Sequence, residues 1–406
     1  MCIDSHGIFI YNTIQITCQQ ENCIKGNKMY QICIEFIYKF KSNRVDITDI
    51  YSIIEDVYRF TFYFTYIRLG DVTMTNISEI ASKANVSRTL VSRVLNNKTG
   101  VSDKKRREIL SVIEELNYKP NALARSLVTQ KTQTIGIIMD QLCDSYFFDL
   151  IQGLQDTGEK LGYNIIFCSG RGNEEIKQKY FDFFLQGRTD GVIAYGSYLK
   201  DQKVIDNIVS SNACFVLIEG TFPHTAINNV QVDNYLGAYK ATEHLIKVGY
   251  KKIRHFSGDM NYKVSLDRFN GFIKAMQDYS IPLSTHDIIN ADFFEQSGYD
   301  QMQKIILSGD IPDAIFFGSD KTAFGAIKAM YENGLKTPED IAIIGFDDDK
   351  PKDDDIKYPK LTTLRQPLYK IGVESINLLV EAINNPEMKP KIKVFEPELI
   401  IRETCK

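Results

Sequence analysis

The sequence contains no run of eighteen or more apolar residues, roughly the length that a membrane-spanning helix needs. Its N-terminus also lacks a basic stretch followed by a clean apolar one, so no secretory signal is evident. The eight cysteines include no C-x-x-C pair, and only five histidines are available as metal ligands. We therefore expect a reduced cytoplasmic protein with no structural metal and no membrane association.

The charge of the chain is distributed unevenly. Over 406 residues the formal net charge is −4, and 44% of the residues are hydrophobic, which allows two or three domains with cores of their own. Residues 74–131 hold 11 Lys and Arg against 5 Asp and Glu, whereas residues 132–406 hold 30 against 39. A basic segment followed by an acidic body is typical of a polyanion-binding domain joined to a second module.

Residues 1–73 differ from the rest of the chain. They contain half of the cysteines and aromatic segments such as "YRFTFYFTYIRLG", which follow neither a helical nor an alternating period. One interpretation is a small extra domain of unknown structure. We favour the other, that this N-terminal extension is upstream sequence translated before the natural start. Met74 opens "MTNISEIA", a natural start for a helix, and Gly70-Asp71 can be encoded by a ribosome-binding sequence.

Residues 74–120 carry the pattern of a helix-turn-helix domain. Apolar residues at i, i+3, i+4 and i+7 mark one face of a first helix: Ile77, Ile80, Ala81 and Ala84. Asn85 suits a tight turn because asparagine tolerates positive φ, and Ser87 can cap a second helix. Four residues of that helix are predicted to face the first: Leu90, Val91, Val94 and Leu95. A third helix from near Ser102 is predicted to close the core with Ile109, Leu110, Ile113 and Leu116.

The second helix, in "NVSRTLVSRVLNN", has a polar surface suited to DNA. Arg88 and Arg93 can each donate two hydrogen bonds to guanine, and Thr89 can contact a base edge or a methyl group. Ser92 and Asn96 are better placed for phosphate. Taken alone, the spacing also allows an ordinary helical hairpin with solvated charges.

The long run "ISEIASKANVSRTLVSRVLNNKTGVSDKKRREILSVIEELNYKPNALARSLVTQKTQTIGII" resembles the lactose-repressor (LacI/GalR) family of bacterial transcription regulators. The resemblance implies a hinge helix and linker over residues 121–131 that folds only on operator DNA, with Leu127 wedged into the minor groove. Such a short helix does not persist alone, and an apolar wedge kinks DNA in return for more contact. Burial of Leu127 against the body is the alternative. The family usually has Gly where this chain has Asn85, and the positions matching Arg88 and Thr89 vary with operator sequence.

Pattern and resemblance together give a set of predicted DNA-binding residues. They are Asn76, Ser87, Arg88, Thr89, Ser92, Arg93, Asn96, Ser102, Asn121, Ala124, Arg125 and Leu127. In the family, dimerisation along the body places two such domains on one palindromic site. Because the sequence stops soon after "RETCK" without a leucine heptad tail, we expect a homodimer and no tetramer.

Residues 132–406 alternate short apolar runs with amphipathic stretches. Seven runs are predicted as buried parallel strands: "TIGIIMD", "YNIIFCS", "DGVIAYG", "CFVLIEG", "KIRHFSG", "DAIFFGSD" and "IAIIGFDDD". A βαβ series of this length is an α/β body of two lobes with doubly wound parallel sheets. The resemblance continues to "LTTLRQPLYKIG" and "PELIIRE" and implies a periplasmic-binding-protein-like lobe pair. By that analogy the N-lobe is about residues 134–232 and 364–392, and the C-lobe about 233–363 and 393–406.

Ligands of such sheets lie beyond the carboxyl ends of the strands. The residues there are Asp140, Tyr195, Glu219, Ser319, Asp320, Phe346 and Asp347. Carboxylates accept hydrogen bonds from hydroxyls and rings cover apolar sugar faces, so the set suits a polyhydroxylated ligand, although each carboxylate could instead be a solvated loop-end cap. The resemblance adds Arg268 and Phe147 as effector-binding residues. In the family's "NPFF" and "ND" motifs this chain has "SYFF" and Ser319-Asp320, which puts those contacts in doubt.

The resemblance implies a transcription regulator on the bacterial nucleoid with no cofactor besides its effector. Because the predicted pocket residues are rich in carboxylates, we expect a repressor of a carbohydrate-utilisation operon with a sugar or sugar phosphate as effector. Two alternatives within the family are a catabolite-control regulator assisted by a phosphocarrier protein and a purine-type repressor that needs a corepressor. A transported-sugar receptor would need a signal peptide and no DNA-binding domain. An enzyme could use Asp140 and Asp347 as an acid/base pair, but their spacing does not demand it. The glycines of "SGRGN" do not make a phosphate loop.

Overall fold

A computed structural model of the chain describes residues 76–96, 98–118, 131–196, 198–220, 227–350 and 358–405. The chain divides into two compact units after Asn121. The extension over residues 1–73 and the hinge residues Asn121, Ala124, Arg125 and Leu127 lie outside the described residues. Among the helices that are described, none is long and apolar enough to cross a membrane.

The first unit is a small bundle of three helices. They are α1 (Ile77–Lys83), α2 (Arg88–Leu95) and α3 (Asp103–Glu115). Each begins with a side-chain cap, in which Asn76, Ser87 and Ser102 accept hydrogen bonds from first-turn amides. The core consists of Ile80, Ala81, Val91, Val94 and Ile109. The predicted helix-turn-helix is confirmed.

The turn and the third helix of this unit can be compared with what the sequence predicts for them. Asn85 has φ of 49°, so the turn uses the left-handed region that the sequence predicts for it. Ile113 and Leu116 pack against the core as expected. The prediction for Leu110 is wrong, because its side chain is 46% exposed. Leu110 directly follows the buried Ile109 and lies roughly 100° further round the helix, on its exposed side.

The second unit contains two parallel sheets. Lobe 1 is a six-stranded sheet with the strand order β11-β5-β4-β3-β1-β2. Its strands are β1 (Thr134–Met139), β2 (Asn164–Ser169), β3 (Gly191–Tyr195), β4 (Phe215–Ile218), β5 (Asn228–Val232) and β11 (Ile392–Phe395). Its helices are α4 (Phe148–Lys160), α5 (Glu174–Leu185), α6 (Gln202–Ser210) and α11 (Leu368–Asn384). In register, Ile135 of β1 lies between Ile165 of β2 and Gly191 of β3.

Lobe 2 is a four-stranded parallel sheet with the order β7-β6-β8-β9. Its strands are β6 (Ile253–Phe256), β7 (Ile288–Ile289), β8 (Ala314–Phe317) and β9 (Ala342–Ile344). Its helices are α7 (Asn234–Val248), α8 (Lys263–Asp278), α9 (Glu295–Ser308) and α10 (Asp320–Glu332). An antiparallel ribbon of β10 (Thr363–Arg365) and β12 (Glu398–Ile400) continues this sheet through bridges from Ile344 to Thr362 and from Asp347 to Arg365.

The chain passes between the lobes at three described places. These are the step from β5 to α7, the step from β10 to α11 and the step from β11 to β12. All seven predicted strands are present, as β1, β2, β3, β4, β6, β8 and β9. The predicted lobe boundary after residue 392 is wrong, because β11 pairs with β5 and the crossing follows Phe395. β11 was missed because "IKVF" is a short edge strand with an alternating exposed face rather than a continuous apolar run.

Helices α4 and α11 cross in contact on lobe 1, and the crossing depends on small residues. A Cβ built at Gly153 would overlap the carbonyl oxygen of Tyr369, and one at Gly372 would meet the backbone of Leu150 and Leu154. Backbone cannot give way as the end of a flexible side chain can. The two glycines therefore set the distance between these helices.

Gly153→Ala is expected to destabilise the body by about 1–3 kcal/mol, because α4 and α11 must separate to admit the methyl group. Urea unfolding of the full chain, followed by circular dichroism, measures the change. The exposed neighbour Gln155 provides the control, since Gln155→Ala leaves the contact intact and alanine favours helix. Equal stability of the Gly153 variant and the wild type would contradict the packing argument.

Candidate functional site

The polar surface of α2 is the first candidate site. Arg88, Thr89 and Arg93 are exposed, so all three are accessible to a ligand of this unit. Asn96 ends the helix, and its Nδ2 donates to Ser92 O at 2.8 Å and to Ser92 Oγ at 3.3 Å. The hydroxyl of Ser92 is half-buried in that arrangement. The cap residues Asn76, Ser87 and Ser102 use their side-chain oxygens within the protein, so their side chains already have structural partners.

The second candidate site is a cavity in the two-lobed unit, at the carboxyl ends of both sheets. It has a volume of about 230 Å³. Its lining residues are Asp140, Gln141, Asp144, Tyr146, Phe147, Tyr195, Gly196, Asp259, Tyr262, Val264, Arg268, Asp292, Phe293, Phe294, Ser319, Lys321, Asp347 and Asp349. The lining is acidic and aromatic, with contributions from loops of both lobes.

Six of the nine residues predicted to bind an effector line the cavity: Asp140, Phe147, Tyr195, Arg268, Ser319 and Asp347. The other three, Glu219, Asp320 and Phe346, are at most 3% exposed and do not line it. They follow strand ends as predicted, but their side chains turn into the protein and support the lining residues. Strand-end position identifies the edge of the sheet and does not distinguish the cavity wall from the layer behind it.

Arg268, on α8, is the central residue of the group that supports the cavity lining. Its Nε donates to Asn234 Oδ1 at 2.9 Å, Nη1 donates to the carbonyl of Gly318, and Nη2 lies 3.4 Å from Asp347 Oδ1. The guanidinium carbon is 3.7 Å from the centre of the Phe346 ring, a cation–π contact. The side chain is only 5% exposed, and yet it reaches the cavity.

Glu219 connects this arginine to lobe 1. Its carboxylate accepts hydrogen bonds from Val232 N at 2.6 Å and Asn234 Nδ2 at 2.9 Å, and Asn234 in turn accepts from Arg268. Burial raises the pKa of Glu219 from 4.5 to about 7, although the two hydrogen bonds and Arg268 oppose the rise. The residue has φ of 55°, and the strained turn places its side chain beneath the cavity instead of in it.

In lobe 2, Asp320 and Asp347 support the cavity lining as Glu219 does in lobe 1. Asp320 accepts from the Thr363 hydroxyl at 2.6 Å and from Asp349 N at 2.8 Å, which ties α10 to the ribbon and to the loop after β9. Asp347 accepts from Gln366 Nε2 at 2.7 Å. Burial raises the pKa of both carboxyl groups, and the two carboxyls repel each other.

Asp140 is fixed from behind by a buried lysine. Lys177 Nζ lies 3.0 Å from one oxygen of Asp140 and 2.6 Å from Asp201, and its side chain is 5% exposed. Asp140 Oδ1 also accepts a hydrogen bond from Gly172 N at 3.0 Å. The carboxylate is therefore held in one orientation at the cavity wall.

Contacts across the mouth join the two lobes. On one side Lys321 of lobe 2 forms an ion pair with Asp144 of lobe 1. On the other side Leu199 N donates to Asn261 O at 2.9 Å, and the rings of Tyr198 and Tyr262 lie 5.1 Å apart. The lobes are closed around the cavity in this structure.

Sequence reasoning missed two thirds of the lining residues, 12 of 18. The aromatic wall of lobe 1 includes Tyr146, whose ring lies 4.9 Å from that of Phe147, and Phe147 lies 4.9 Å from Tyr195. In lobe 2, Tyr262 and Phe293 pack edge to face at 5.7 Å. Asp292, Phe293 and Phe294 follow β7, a strand of two residues that the sequence did not reveal. The signal available was the polar-aromatic run "NADFFEQ" between two helical stretches.

A helix-turn-helix unit followed by a two-lobed unit that encloses a polar cavity defines the class of ligand-responsive DNA-binding regulators. Comparison with known proteins agrees. Residues 76–121 match the sequence model of "Bacterial regulatory proteins, lacI family", and residues 132–396 match that of "Periplasmic binding proteins and sugar binding domain of LacI family".

Individual relatives extend over nearly the same length. The HTH-type transcriptional repressor PurR of Actinobacillus pleuropneumoniae serotype 3 is 32% identical over 336 residues, which are 82% of this chain and 99% of the relative. The HTH-type transcriptional regulator RegA of Clostridium saccharobutylicum is also 32% identical, over 81% of this chain and 99% of its own.

Solved structures share the fold. A lac repressor dimer bound to operator and the anti-inducer ONPF aligns with a TM-score of 0.73 at 24% identity, over 81% of this chain and 98% of that one. CcpA of Lactococcus lactis aligns with a TM-score of 0.61 at 27% identity, over 67% and 99%. The chain belongs to the LacI family of bacterial regulatory proteins. It is accordingly a DNA-binding transcriptional repressor with an effector-binding body, and not an enzyme.

The described residues contain no group of three or more His, Cys, Asp or Glu arranged to hold a metal ion. Although the cavity is rich in aspartates, the ones with assigned partners are engaged by Lys177, Lys321, Arg268 and backbone amides.

Glu219→Gln is expected to flatten the pH dependence of the body's stability. Because the pKa of Glu219 is raised from 4.5 to about 7 in the folded protein, the folded state binds this proton more tightly than the unfolded state. The contribution is fully present below the unfolded value and is lost as the pH rises through 7, a loss of about 3 kcal/mol. Urea unfolding across that range, with the exposed Glu159→Gln as control, measures the slope. A slope unchanged by Glu219→Gln would show that this carboxyl is ionised throughout.

Proposed function

We propose that this protein represses a carbohydrate-utilisation operon and that a small sugar-like effector, bound in the cavity between the lobes, changes its affinity for operator DNA. The observation that carries the proposal is the cavity itself, where carboxylates and aromatic rings from both lobes surround a fixed arginine. Sugar hydroxyls donate to carboxylates, and the apolar faces of a sugar ring pack on aromatic rings.

The size of the cavity favours a small ligand. Pockets for drug-sized ligands span roughly 300–1,000 Å³, and this one has about 230 Å³ in its closed form. The aromatic wall of Tyr146, Phe147 and Tyr195 supplies a flat apolar surface, and Asp140 and Asp347 supply acceptors whose positions are fixed by Lys177, Arg268 and Gln366. Fixed acceptors lower the cost of ordering the site on binding.

The charges of the cavity favour a sugar over a sugar phosphate. Arg268 is engaged by Asn234, Gly318 and Asp347, and Lys321 is engaged by Asp144. A phosphate would have to displace these partners and would also approach several further carboxylates. We therefore propose an unphosphorylated sugar as the first effector to test.

The DNA-binding role rests on the exposed face of α2. Arg88, Thr89 and Arg93 are exposed, and their side chains have no hydrogen bond or ion pair with any residue that the structure describes, so they can contact base edges. The capped N-terminal ends of α1, α2 and α3 are proposed to approach backbone phosphates. Ser92 and Asn96, which hydrogen-bond to each other, are proposed to contact phosphate as a pair. Asn121, Ala124, Arg125 and Leu127 complete the proposed interface as the hinge helix.

The assembly that acts on DNA is proposed to be a homodimer on a palindromic operator in the bacterial cytoplasm, as in the lac repressor dimer that the fold resembles. Effector and operator are then linked. An effector that prefers one arrangement of the lobes shifts operator affinity by the difference in its own affinity for the two arrangements.

The proposed regulation by a sugar has two alternatives, a purine corepressor and a phosphocarrier partner. A purine corepressor is suggested by relatives named PurR, and a purine base could stack on the aromatic wall. A phosphocarrier partner is the other alternative, which comes from the family resemblance alone. A thermal-shift screen with sugars, sugar phosphates, purines and a phosphorylated carrier protein separates the three: stabilisation by a purine alone would replace the sugar in our proposal.

Arg88→Ala is expected to weaken operator binding by about 1–3 kcal/mol and to relax base preference at one position of each half-site, because a bidentate contact to guanine is lost. The operator is first selected from a randomised DNA pool, and affinity is measured by fluorescence anisotropy over a range of salt concentrations. Arg107→Ala, which removes an exposed arginine of α3, is the control for net charge. Unchanged affinity and unchanged preference in the Arg88 variant would contradict the assignment of α2.

Arg268→Ala is expected to abolish the effector response and to leave operator binding intact, since the guanidinium joins the lobes of the second unit and α2 belongs to the first. Because Arg268 is buried, Arg268→Lys is made in parallel; it keeps the charge and loses the planar hydrogen-bonding geometry. Circular dichroism confirms folding, and operator affinity is measured with and without the effector from the screen. A full response in either folded variant would remove Arg268 from the effector site.

A further inference from the structure

The acidic groups of the cavity outnumber the basic ones. Six aspartates line it: Asp140, Asp144, Asp259, Asp292, Asp347 and Asp349. The basic side chains in the lining are Arg268 and Lys321. A closed cavity excludes much of the water that would otherwise screen such an imbalance. The charge that a ligand should carry therefore depends on which of these aspartates already have a cation beside them.

Four of the six have a cation in place. Asp140 is paired with the buried Lys177, and Asp347 with Arg268. Lys321 lies beside the other two: it forms an ion pair with Asp144, and its Nζ is 3.7 Å from Asp349 Oδ2. This last oxygen is buried and has no hydrogen-bond donor among the described residues, and the Asp349 side chain is 6% exposed. One lysine thus compensates two carboxylates incompletely.

Asp259 and Asp292 have no ion pair with any residue that the structure describes. Asp259 Oδ1 accepts from the backbone and side-chain nitrogens of Asn261, at 2.9 and 2.8 Å. Asp292 Oδ1 accepts from Phe294 N at 2.8 Å. In both groups only one oxygen has a hydrogen-bond donor within the described protein. Backbone amides hold these carboxylates in place and do not neutralise them.

The two carboxylates belong to one wall of the cavity. Asp259 follows β6 and Asp292 follows β7, and these strands are neighbours in the sheet of lobe 2. The same wall carries Tyr262 and Phe293, whose rings meet edge to face at 5.7 Å. Aromatic faces attract cations, and two carboxylates beside them make the attraction stronger. This wall combines the two kinds of group that stabilise an ammonium ion.

We propose that the effector is an amino sugar, with its protonated amine against the wall of Asp259, Asp292, Tyr262 and Phe293. The inference rests on the proposed function, because it takes the sugar-binding cavity as given and adds the charge of one substituent. The ammonium would supply the cation that this wall lacks and donate to the second oxygens of the carboxylates. The ring of the sugar would then extend towards Arg268 and the aromatic wall of lobe 1.

The test compares ligands that differ at one atom. Isothermal titration calorimetry on the full chain is run with glucosamine and glucose, galactosamine and galactose, and mannosamine and mannose. In at least one pair the amine is expected to bind ten or more times tighter than the alcohol, with an advantage that shrinks as salt is added. If at least one alcohol binds and no amine binds ten times tighter than its alcohol, the inference is overturned and the sugar effector of the proposed function stands.

Two variants of the cavity wall then test where the amine of the ligand binds. Asp259→Asn and Asp292→Asn keep the shape of the side chain and remove its charge, so each is expected to reduce the amine's advantage severalfold and to change the affinity for the alcohol little. Asp300→Asn, an exposed site on α9, controls for net charge and is expected to change neither. An advantage that persists in both cavity variants overturns the placement. If no ligand of either series binds, the amino-sugar inference is rejected, and operator binding by the wild type and the Arg88 variant still tests the repressor function independently.

Discussion

The buried guanidinium of Arg268 is the interaction on which the two-lobed body depends. Its donors reach Asn234 at the start of α7, Gly318 after β8 and Asp347 after β9. Through Asn234 it is connected to Glu219 of lobe 1, and through Asp347 to Gln366 on the segment that returns to lobe 1. One side chain of lobe 2 therefore contacts one of the three places where the chain crosses between lobes, and it is connected to a second through Asp347. An arginine suits this position because its planar donors point in several fixed directions at once.

Buried charges of this kind are poor sources of stability, since the desolvation of each ion offsets much of the attraction between them. What they supply is a defined geometry that fails if one member moves. Glu219 illustrates the balance: its pKa is raised to about 7, so burial outweighs its two hydrogen bonds and the nearby arginine. A network that is only marginally favourable in the closed form can be tipped by a ligand that adds or removes one hydrogen bond. That is the physical requirement for an effector to act at the junction of the lobes.

The sequence predicted most of the architecture because buried parallel strands and amphipathic helices leave strong local patterns. All seven strands with continuous apolar runs were recognised, and Asn85 was correctly assigned to a turn with positive φ. What failed depends on contacts that are distant in sequence. β7 has two residues and β11 alternates, so neither has a run long enough to recognise, and the lobe boundary was misplaced by the length of β11.

The site shows the same limit at the level of side chains. The rule that ligands meet strand ends selected Asp140, Tyr195, Ser319 and Asp347 correctly as lining residues. It could not exclude Glu219 or Phe346, because a strand end fixes where the backbone is and not which way the side chain turns. Phe346 lies under Arg268 and Glu219 lies behind Asn234. Both are needed to hold the wall, and neither is part of it.

The closing contacts have a consequence for how the cavity admits a ligand. Lys321 reaches across the mouth to Asp144, and Tyr198 meets Tyr262 on the other side, so both contacts must break if the lobes part. The side chains of this ion pair are only 16% and 19% exposed, and the desolvation of the two ions offsets much of the attraction between them. The contacts at the mouth therefore contribute little net stability, while the Arg268 network is buried near the crossings. Opening can break the mouth first and leave the network largely formed, which lets the lobes hinge without separating. A ligand that bridges Asp140 and Asp347 would replace the weak contacts at the mouth with stronger ones inside, and its binding energy would then set the position of the lobes.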